Sequence, residues 1–266
     1  MKRTSLSILL TGALLMAGTA YSQVVLQDEY WGGLAVHNDE EINPRDVVGD
    51  KDIFDLTMME VGMMDGNLNV TLYGNYFKFI NPLTRTDEVL GTTLGDLFIS
   101  IDGVAWTGTG KDTAYDFIGG ATETSWEYAV VLGTYGAPGD DLSGEKMGSV
   151  HQIGDGDTIV QSDPGEYTTY RANQAVTLET QSEAVGDASW FMDAEEGLLS
   201  ITIQDFGSIF SGYKMEQLGF HWTMSCGNDV LEGSPEVPEP ATVGLLAVGG
   251  LLGVLMIRRR IRNTRK

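Results

Sequence analysis

Oxygen ligands for a cation are the first chemistry that this sequence offers. Asp155 and Asp157 alternate with glycine in one short turn, and calcium prefers carboxylates that are carried on flexible loops. A second acidic turn, Gly139-Asp140-Asp141, adds two more carboxylates of the same kind. The helical calcium loop Asp-x-Asp-x-Asp-Gly is not matched, because Ile159 stands where its third ligand belongs. Two interpretations stay open, a calcium site at Asp155 and Asp157 or turns that are simply solvated.

Nucleophilic or zinc chemistry would need cysteines and histidines in close groups. Cys226 is the only cysteine of the chain, so no intrachain disulfide forms, and we expect a buried or merely tolerated thiol. An unpaired thiol could also link two chains or act as a nucleophile beside His221. The register of its strand points His221 away from the apolar face, and no carboxylate that would orient it is identified. His37 and His151 show no zinc spacing, and surface positions are expected for both.

Tryptophan rings are the remaining candidates for ligand contact. Trp31 and Trp106 lie beside glycines in loop-like sequence, where an indole face could stack on a polysaccharide. Trp126 and Trp222 alternate with polar residues on apolar strand faces, so we expect them in the core. Trp31 and Trp106 are therefore the predicted glycan contacts.

No catalytic constellation emerges from the chain. With 38 acidic residues, a glycosidase pair fits almost anywhere and none can be assigned. The sequence contains no Gly-x-Ser-x-Gly nucleophile elbow, phosphate loop or dinucleotide fingerprint. We therefore predict a protein that is not an enzyme and has no cofactor other than the calcium considered above. An extracellular hydrolase is kept only as a third hypothesis.

Short β-strands must position all of these residues. Between Gln23 and Gly233, apolar and polar residues repeatedly alternate, which indicates half-buried strands. The clearest apolar faces are Leu68, Val70 and Leu72; Leu97, Ile99 and Ile101; Trp126, Tyr128, Val130 and Leu132; Leu199, Ile201 and Ile203; and Leu218, Phe220, Trp222 and Met224. Turns rich in Gly, Asp, Asn and Pro separate these runs. The pattern predicts an all-β fold class, an antiparallel, jelly-roll-like β-sandwich that forms one ectodomain at residues 23–233.

The N-terminus has the layout of a secretory signal peptide. Lys2 and Arg3 precede an apolar run that ends in small residues. With Ala20 and Ser22 at the −3 and −1 positions, cleavage would remove residues 1–22. An uncleaved anchor is the alternative. No cysteine follows the apolar run, so the acylated cysteine of a bacterial lipoprotein is excluded.

The C-terminus predicts a single membrane span. A linker at 234–240 carries Pro238, Glu239 and Pro240, and residues 241–257 then run for 17 positions without a charge, which is just long enough for a transmembrane helix. The basic tail 258–266 follows, with a stop-transfer cluster of Arg258, Arg259, Arg260 and Arg262. Because Lys and Arg stay on the cytoplasmic side, the body should lie outside the membrane.

The charge of the exported body limits its partners. Between Gln23 and Pro240 there are eight basic and 38 acidic residues, so the formal net charge of this part is −30. Binding to a nucleic-acid backbone draws its affinity from clustered Lys and Arg. Nucleic acid is therefore excluded as a partner.

The order of motif, apolar span and terminal arginine cluster resembles the PEP-CTERM sorting signal of Gram-negative bacteria, residue for residue at Pro238, Glu239 and Pro240. The two prolines hold the glutamate in extended backbone beside the bilayer, a shape that a membrane-embedded peptidase could grip. The resemblance covers roughly one span with its flanks. It implies an exosortase as partner, removal of the signal, and release of the body or its transfer to a surface component. The alternative is a permanent anchor with an accidental Pro-Glu-Pro.

The body also resembles surface proteins that carry this same signal. The shared segments are Gly95-Asp96-Leu97-Phe98, Trp126-Glu127-Tyr128-Ala129 and the run from His221 to Asp229. This resemblance implies a β-sandwich of unassigned role, and likeness of fold does not establish function.

We therefore expect a protein that is exported through the inner membrane, anchored there before processing, and found at the cell surface or in the extracellular matrix afterwards. Its expected role is structural or adhesive, within an exopolysaccharide layer of a biofilm. The alternative is a glycan- or calcium-binding module that a permanent single-pass anchor holds at the cell surface.

Overall fold

The structure is a computed structural model of the 266-residue chain. It describes residues 23–28, 34–37, 40–42, 46–80, 92–103, 125–133, 135, 140–162, 169–172, 174–180 and 182–235. The chain divides into two compact units, Met1–Pro235 and Glu236–Lys266, and every described residue belongs to the first.

Strands dominate the described part of the chain. They are β1 (Gln23–Gln27), β2 (Leu34–His37), β3 (Glu40–Ile42), β4 (Leu56–Met64), β5 (Asn67–Gly74), β6 (Leu97–Ser100), β7 (Tyr128–Val131), β8 (Lys146–Gln152), β9 (Thr158–Gln161), β10 (Thr169–Ala172), β11 (Ala175–Glu179), β12 (Gly186–Asp193), β13 (Leu198–Ile203), β14 (Gly219–Thr223) and β15 (Val230–Gly233). The described helices are single turns, α1 (Lys51–Phe54), α2 (Tyr76–Phe79) and α3 (Phe206–Ile209), with a 3₁₀ turn at Met215–Gln217.

Ten strands form one antiparallel sheet in the order β1-β4-β5-β13-β12-β8-β7-β6-β14-β15. Smaller antiparallel sheets are β10-β2-β3 and β11-β9. The prediction of an all-β fold built from antiparallel sheets is confirmed.

The large sheet curls so that its two ends approach each other. The last strand, β15, contacts both β1 and β4. A Cβ on Gly233 of β15 would lie 3.4 Å from the Leu26 side chain of β1. One face of the sheet is thereby turned inward, and its side chains form a principal core.

The principal core contains the apolar faces that alternation predicts. Leu68, Val70 and Leu72, Leu97 and Ile99, Leu199, Ile201 and Ile203, and Leu218, Phe220, Trp222 and Met224 are all buried in it, and Ile101 packs against it. Each fully buried large side chain contributes about 1.5–3 kcal/mol. These strand faces were therefore predictable from local sequence alone.

A second core forms where the β11-β9 sheet lies on the outer face of the large sheet. It consists of Phe98, Trp126, Ala129, Ile159, Ala175 and Leu178, and β11 contacts both β7 and β14. Burial of Trp126 is confirmed, but its predicted face is wrong. Because β7 begins only at Tyr128, Trp126 precedes the regular alternation and packs on the side opposite Tyr128 and Val130.

No helix within the described ranges has the length and apolar composition that crossing a membrane requires. The predicted signal peptide 1–22 and span 241–257 lie outside those ranges. The linker 234–240 is described only as far as Pro235.

Candidate functional site

Three sets of predicted site residues lie outside the described residues. They are the stacking candidates Trp31 and Trp106, the sorting motif Pro238, Glu239 and Pro240, and the basic cluster Arg258, Arg259, Arg260 and Arg262. Their roles stay predictions.

The predicted calcium turn connects β8 to β9. Asp155 is exposed at its tip, whereas Asp157 is half-buried. The Asp157 carboxylate accepts hydrogen bonds from the Gly154 N–H at 3.0 Å and from the Thr180 hydroxyl at 2.9 Å. Asp157 thus closes its own turn and ties that turn to the end of β11.

The histidines occupy three different environments. His37 is exposed, as predicted. The surface position predicted for His151 is wrong, because its strand β8 lies between β7 and β12, and the residue is only 8% exposed. Its Nε2 lies 2.9 Å from the Ser149 hydroxyl.

His221 faces the second core and is completely buried there. Its Nδ1 lies 2.9 Å from Oε2 of Glu232, directly opposite in the β14–β15 pairing, and its Nε2 lies 2.8 Å from the Ala175 carbonyl oxygen. Glu232 is therefore the orienting carboxylate that the sequence did not identify. Oxygen partners at both ring nitrogens fix the orientation of the imidazole ring. With Glu232 equally buried, the pair ties β11 to β14 and β15 rather than facing a substrate.

Cys226 lies in the principal core and is 1% exposed, so the predicted burial is confirmed. Burial raises the pKa of its thiol to about 12. The thiol is therefore protonated at neutral pH, and a protonated thiol is a poor nucleophile and metal ligand.

The Gly95-Asp96 segment forms a tight junction between sheets. Both oxygens of the buried Asp96 carboxylate accept main-chain hydrogen bonds, from Leu132 at 2.8 Å and from Leu178 at 2.9 Å. Burial raises the pKa of Asp96 to about 7, against the opposing effect of these two bonds. Gly95 accepts from the Trp222 indole N–H at 2.9 Å. The segment therefore joins β6, β7, β11 and β14 in one place.

A cluster of three carboxylates is the feature with the clearest chemical potential. One oxygen each of Asp28, Asp46 and Asp229 lies within 4.8 Å of the others. Among the described residues, this is the one group of three or more His, Cys, Asp or Glu side chains that is close enough to share a metal ion. The members lie directly after β1, in the segment before α1 and directly before β15.

Asp229 is the buried member of this carboxylate cluster. Its carboxylate accepts from the main-chain N–H groups of Leu56 at 2.6 Å and Val230 at 2.9 Å. Burial raises the pKa of Asp229 well above its usual range, and the neighbouring Asp28 charge raises it further. A proton or a cation is therefore favoured at this position.

Neighbouring polar groups offset this charge only in part. The fully buried Arg171 guanidinium donates to the Asp46 carbonyl oxygen and lowers the pKa values of Asp46 and Asp229, although burial and the Asp55 charge still raise the pKa of Asp46 overall. Within the described part of the chain, the buried Oδ1 atoms of Asp46 and Asn228 have no hydrogen-bond partner. Three carboxylates and one guanidinium leave two negative charges, which a divalent cation would balance.

The donor set of the cluster suits calcium. Calcium binds carboxylate oxygens at about 2.3–2.6 Å, so three such oxygens that lie within 4.8 Å of one another can share one ion. Sequence reasoning missed the cluster because its members are far apart in the chain. The local sequence pointed to the cluster at one place, the Asn228-Asp229 pair that ends the run from His221 to Asp229.

Comparison with known proteins identifies the C-terminal segment. The family model described as the PEP-CTERM protein-sorting motif matches residues 236–260. No curated protein and no solved structure matches the chain.

Proposed function

We propose that this chain, a PEP-CTERM exosortase-substrate protein, has a structural or adhesive role in an exopolysaccharide layer. The sorting motif at residues 236–260 carries the proposal. It supports an exosortase-processed surface protein and implies export, with a cell-surface or extracellular location after processing. An acidic, β-rich body suits that location, because like charges keep it soluble.

The polar groups inside the described body support a role that is not enzymatic. His221 and Glu232 join strands, Asp96 accepts two main-chain hydrogen bonds, and the Cys226 thiol is protonated. His221, Glu232 and Asp96 thus hold strands together, and Cys226 is packed in the principal core. We infer that the body serves as a binding or scaffolding domain.

The processing route completes this proposal. Residues 1–22 act as the signal peptide, 241–257 anchor the protein before processing, and the basic tail 258–266 stays in the cytoplasm. For the complete ectodomain we propose the jelly-roll-like sandwich, of which the β11-β9 layer on the large sheet is one part.

Fractionation of the native host tests this role. We expect the mature protein to sediment with the polysaccharide-rich extracellular fraction and to be released when that polysaccharide is enzymatically degraded. A secreted protein of the same host without the motif serves as the control. Mature protein that stays in the membrane fraction, or leaves the cells regardless of the polysaccharide, would contradict the proposal.

Calcium binding is the second candidate function, and the carboxylate cluster of Asp28, Asp46 and Asp229 favours it. We propose this cluster as the cation site in place of the turn at Asp155 and Asp157. The cluster draws together β1, the segment before α1 and the loop before β15. A bound cation would therefore stabilise the N-terminal edge of the large sheet.

The calcium proposal predicts a pH-dependent gain in thermal stability. Because the pKa of Asp229 is raised in the folded protein, the metal-free protein loses stability as the pH rises from the usual carboxyl range through that raised pKa. Calcium replaces the proton, so its effect should be small near pH 4 and large at neutral pH. Calcium at about 100 times its Kd contributes about 2.7 kcal/mol, which corresponds to a rise in Tm of about 5–10 °C.

Asp46→Asn separates a cation site from general charge effects. This variant should lose the calcium response, yet without calcium it should be more stable than the wild type at neutral pH, because one repelling charge is gone. Asp187→Asn, at an exposed position of β12, is the matched control and should respond like the wild type. An equal calcium response in all three proteins, or none in the wild type, would refute the site.

A further inference from the structure

A cleft opens at the end of β12, beside an exposed aromatic ring. It has a volume of about 580 Å³ and is lined by residues 140–144 and 191–195, a size typical of small-molecule sites. Phe191, in its wall, is 45% exposed, whereas its neighbour Trp190 is fully buried in the principal core. An exposed aromatic ring beside a cleft can stack on a ligand.

Phe191 also belongs to a polar row on the outer face of the large sheet. The strand registers place Phe191 beside Ser200, Ser200 beside Thr71 and Thr71 beside Glu60. Ser200, Thr71 and Glu60 are half-buried. The Ser200 and Thr71 hydroxyls lie 3.3 Å apart, and Glu60 accepts from the Tyr73 hydroxyl at 2.9 Å. The row therefore continues the cleft as a surface of hydroxyl and carboxylate groups that sugar hydroxyls can contact.

The lining of the cleft is strongly acidic. The described residues that line it include the carboxylates of Asp140, Asp141, Asp193 and Glu195 and no Lys or Arg. Ser143 donates two hydrogen bonds to Asp141, which lower the pKa of that carboxyl. The nearby Lys146 ammonium donates to the Ser143 carbonyl oxygen at 2.7 Å and offsets one charge. The cleft therefore complements a ligand that carries positive charge.

The carboxylates of Asp141 and Asp193, in the two turns that line the cleft, use only part of their capacity to accept hydrogen bonds. Oδ1 of Asp141 accepts from Ser143, and Oδ1 of Asp193 accepts from the N–H groups of Glu195 and Glu196. These bonds hold the carboxylates in place, while a carboxylate has about four acceptor sites in all. Fixed carboxylates can pair with an amine while the aromatic face beside them stacks on the sugar ring.

We propose that this cleft and the adjoining outer row bind an amine-bearing polysaccharide, one that contains glucosamine-like units. The sugar ring stacks on Phe191 and its protonated amine pairs with the carboxylates of Asp193 and Asp141. This inference rests on the proposed role in an exopolysaccharide layer and names the chemical class of that polymer. An anionic polysaccharide is disfavoured by the charge of −30 between Gln23 and Pro240.

Binding of defined oligosaccharides to the mature protein, purified from its native host, tests the proposal by calorimetry. The probes are glucosamine oligomers, N-acetylglucosamine oligomers, cello-oligosaccharides and oligogalacturonate, each measured with EDTA present. We expect glucosamine oligomers to bind most tightly. Their binding should weaken when salt is raised from 50 to 500 mM, because salt screens charge pairs. Oligogalacturonate should not bind.

Single substitutions locate the site. Phe191→Ala and Asp193→Ala should each weaken glucosamine-oligomer binding about tenfold or more, equivalent to about 1.4 kcal/mol. Tyr213→Ala, at another exposed aromatic that does not line the cleft, is the control and should bind like the wild type. Unchanged melting temperatures show that the variants fold.

Three outcomes would overturn the proposal: no binding, equal binding of charged and neutral oligomers, or binding that neither cleft substitution weakens. If the mature protein nevertheless sediments with the matrix in the fractionation experiment, the proposed function stands and only this site fails. If the purified protein binds glucosamine oligomers as expected but does not enter the matrix fraction, the site stands and the adhesive role fails.

Discussion

Replacing Pro238, Glu239 and Pro240 by alanine should leave the C-terminal segment on the mature protein. In the wild type we expect intact mass to show that everything after the motif has been lost. Each proline fixes φ and disfavours helix, so the sequence predicts extended backbone for the glutamate between them, just before the apolar run. Alanine removes both constraints and the carboxylate, which favours extension of the helix predicted at 241–257 into the motif.

The chain offers a matched control for this experiment. Ser234 and Pro235 lie immediately before the family match, which begins at residue 236. Ser234→Ala combined with Pro235→Ala should be processed like the wild type.

Mass spectrometry of protein from the native host decides between the two C-terminal interpretations. A wild-type protein that still ends at Lys266 would contradict processing and leave a permanent single-pass anchor. A triple-alanine variant that is cut as efficiently as the wild type would show that another feature of residues 236–260 is recognised. Loss of cutting in the triple variant alone would establish the motif as the recognition element.

Local alternation made the buried faces of the strands in the large sheet predictable. In β13, Leu199, Ile201 and Ile203 point inward because side chains alternate along any strand. Such a pattern says which face is buried, and it holds wherever a strand is regular. It failed at Trp126, which precedes β7. Because Trp126, Glu127 and Tyr128 keep the apolar–polar alternation, the sequence does not show that the strand begins only at Tyr128.

Pairings between distant segments were not predictable. Glu232 orients His221 because β14 and β15 are neighbours in that register, and alternation does not specify which residue lies opposite. The carboxylate cluster is more distant still, since Asp28 and Asp229 come from opposite ends of the body. The first feature depends on the register of one strand pair, and the second depends on how the sheet curls, which is a property of the whole chain rather than of a segment.

We expect the substitution Gly95→Ala to destabilise the body strongly. A Cβ at this position would overlap the Thr223 carbonyl oxygen and lie 2.9 Å from the Val176 carbonyl oxygen. Both are main-chain atoms of strands, so neither can move without breaking the sheet. Relief would also displace the Asp96 N–H from Val176 and the Trp222 indole from Gly95. We expect a loss of at least about 3 kcal/mol in the free energy of unfolding.

Gly207→Ala is the matched control, because it makes the same chemical change in open space. A Cβ on Gly207 would meet nothing within 4 Å, and the residue lies in α3, where alanine is favoured over glycine by about 0.5–1 kcal/mol. Chemical denaturation of both variants and the wild type measures the contrast. Equal stability of the Gly95 and Gly207 variants would mean that the junction of β6, β11 and β14 is looser than the structure shows.

A large loss at Gly95 alone would explain in physical terms why glycine precedes aspartate at this junction. The glycine lets the backbones approach closely enough for the Asp96 carboxylate to reach the main-chain N–H groups of both Leu132 and Leu178.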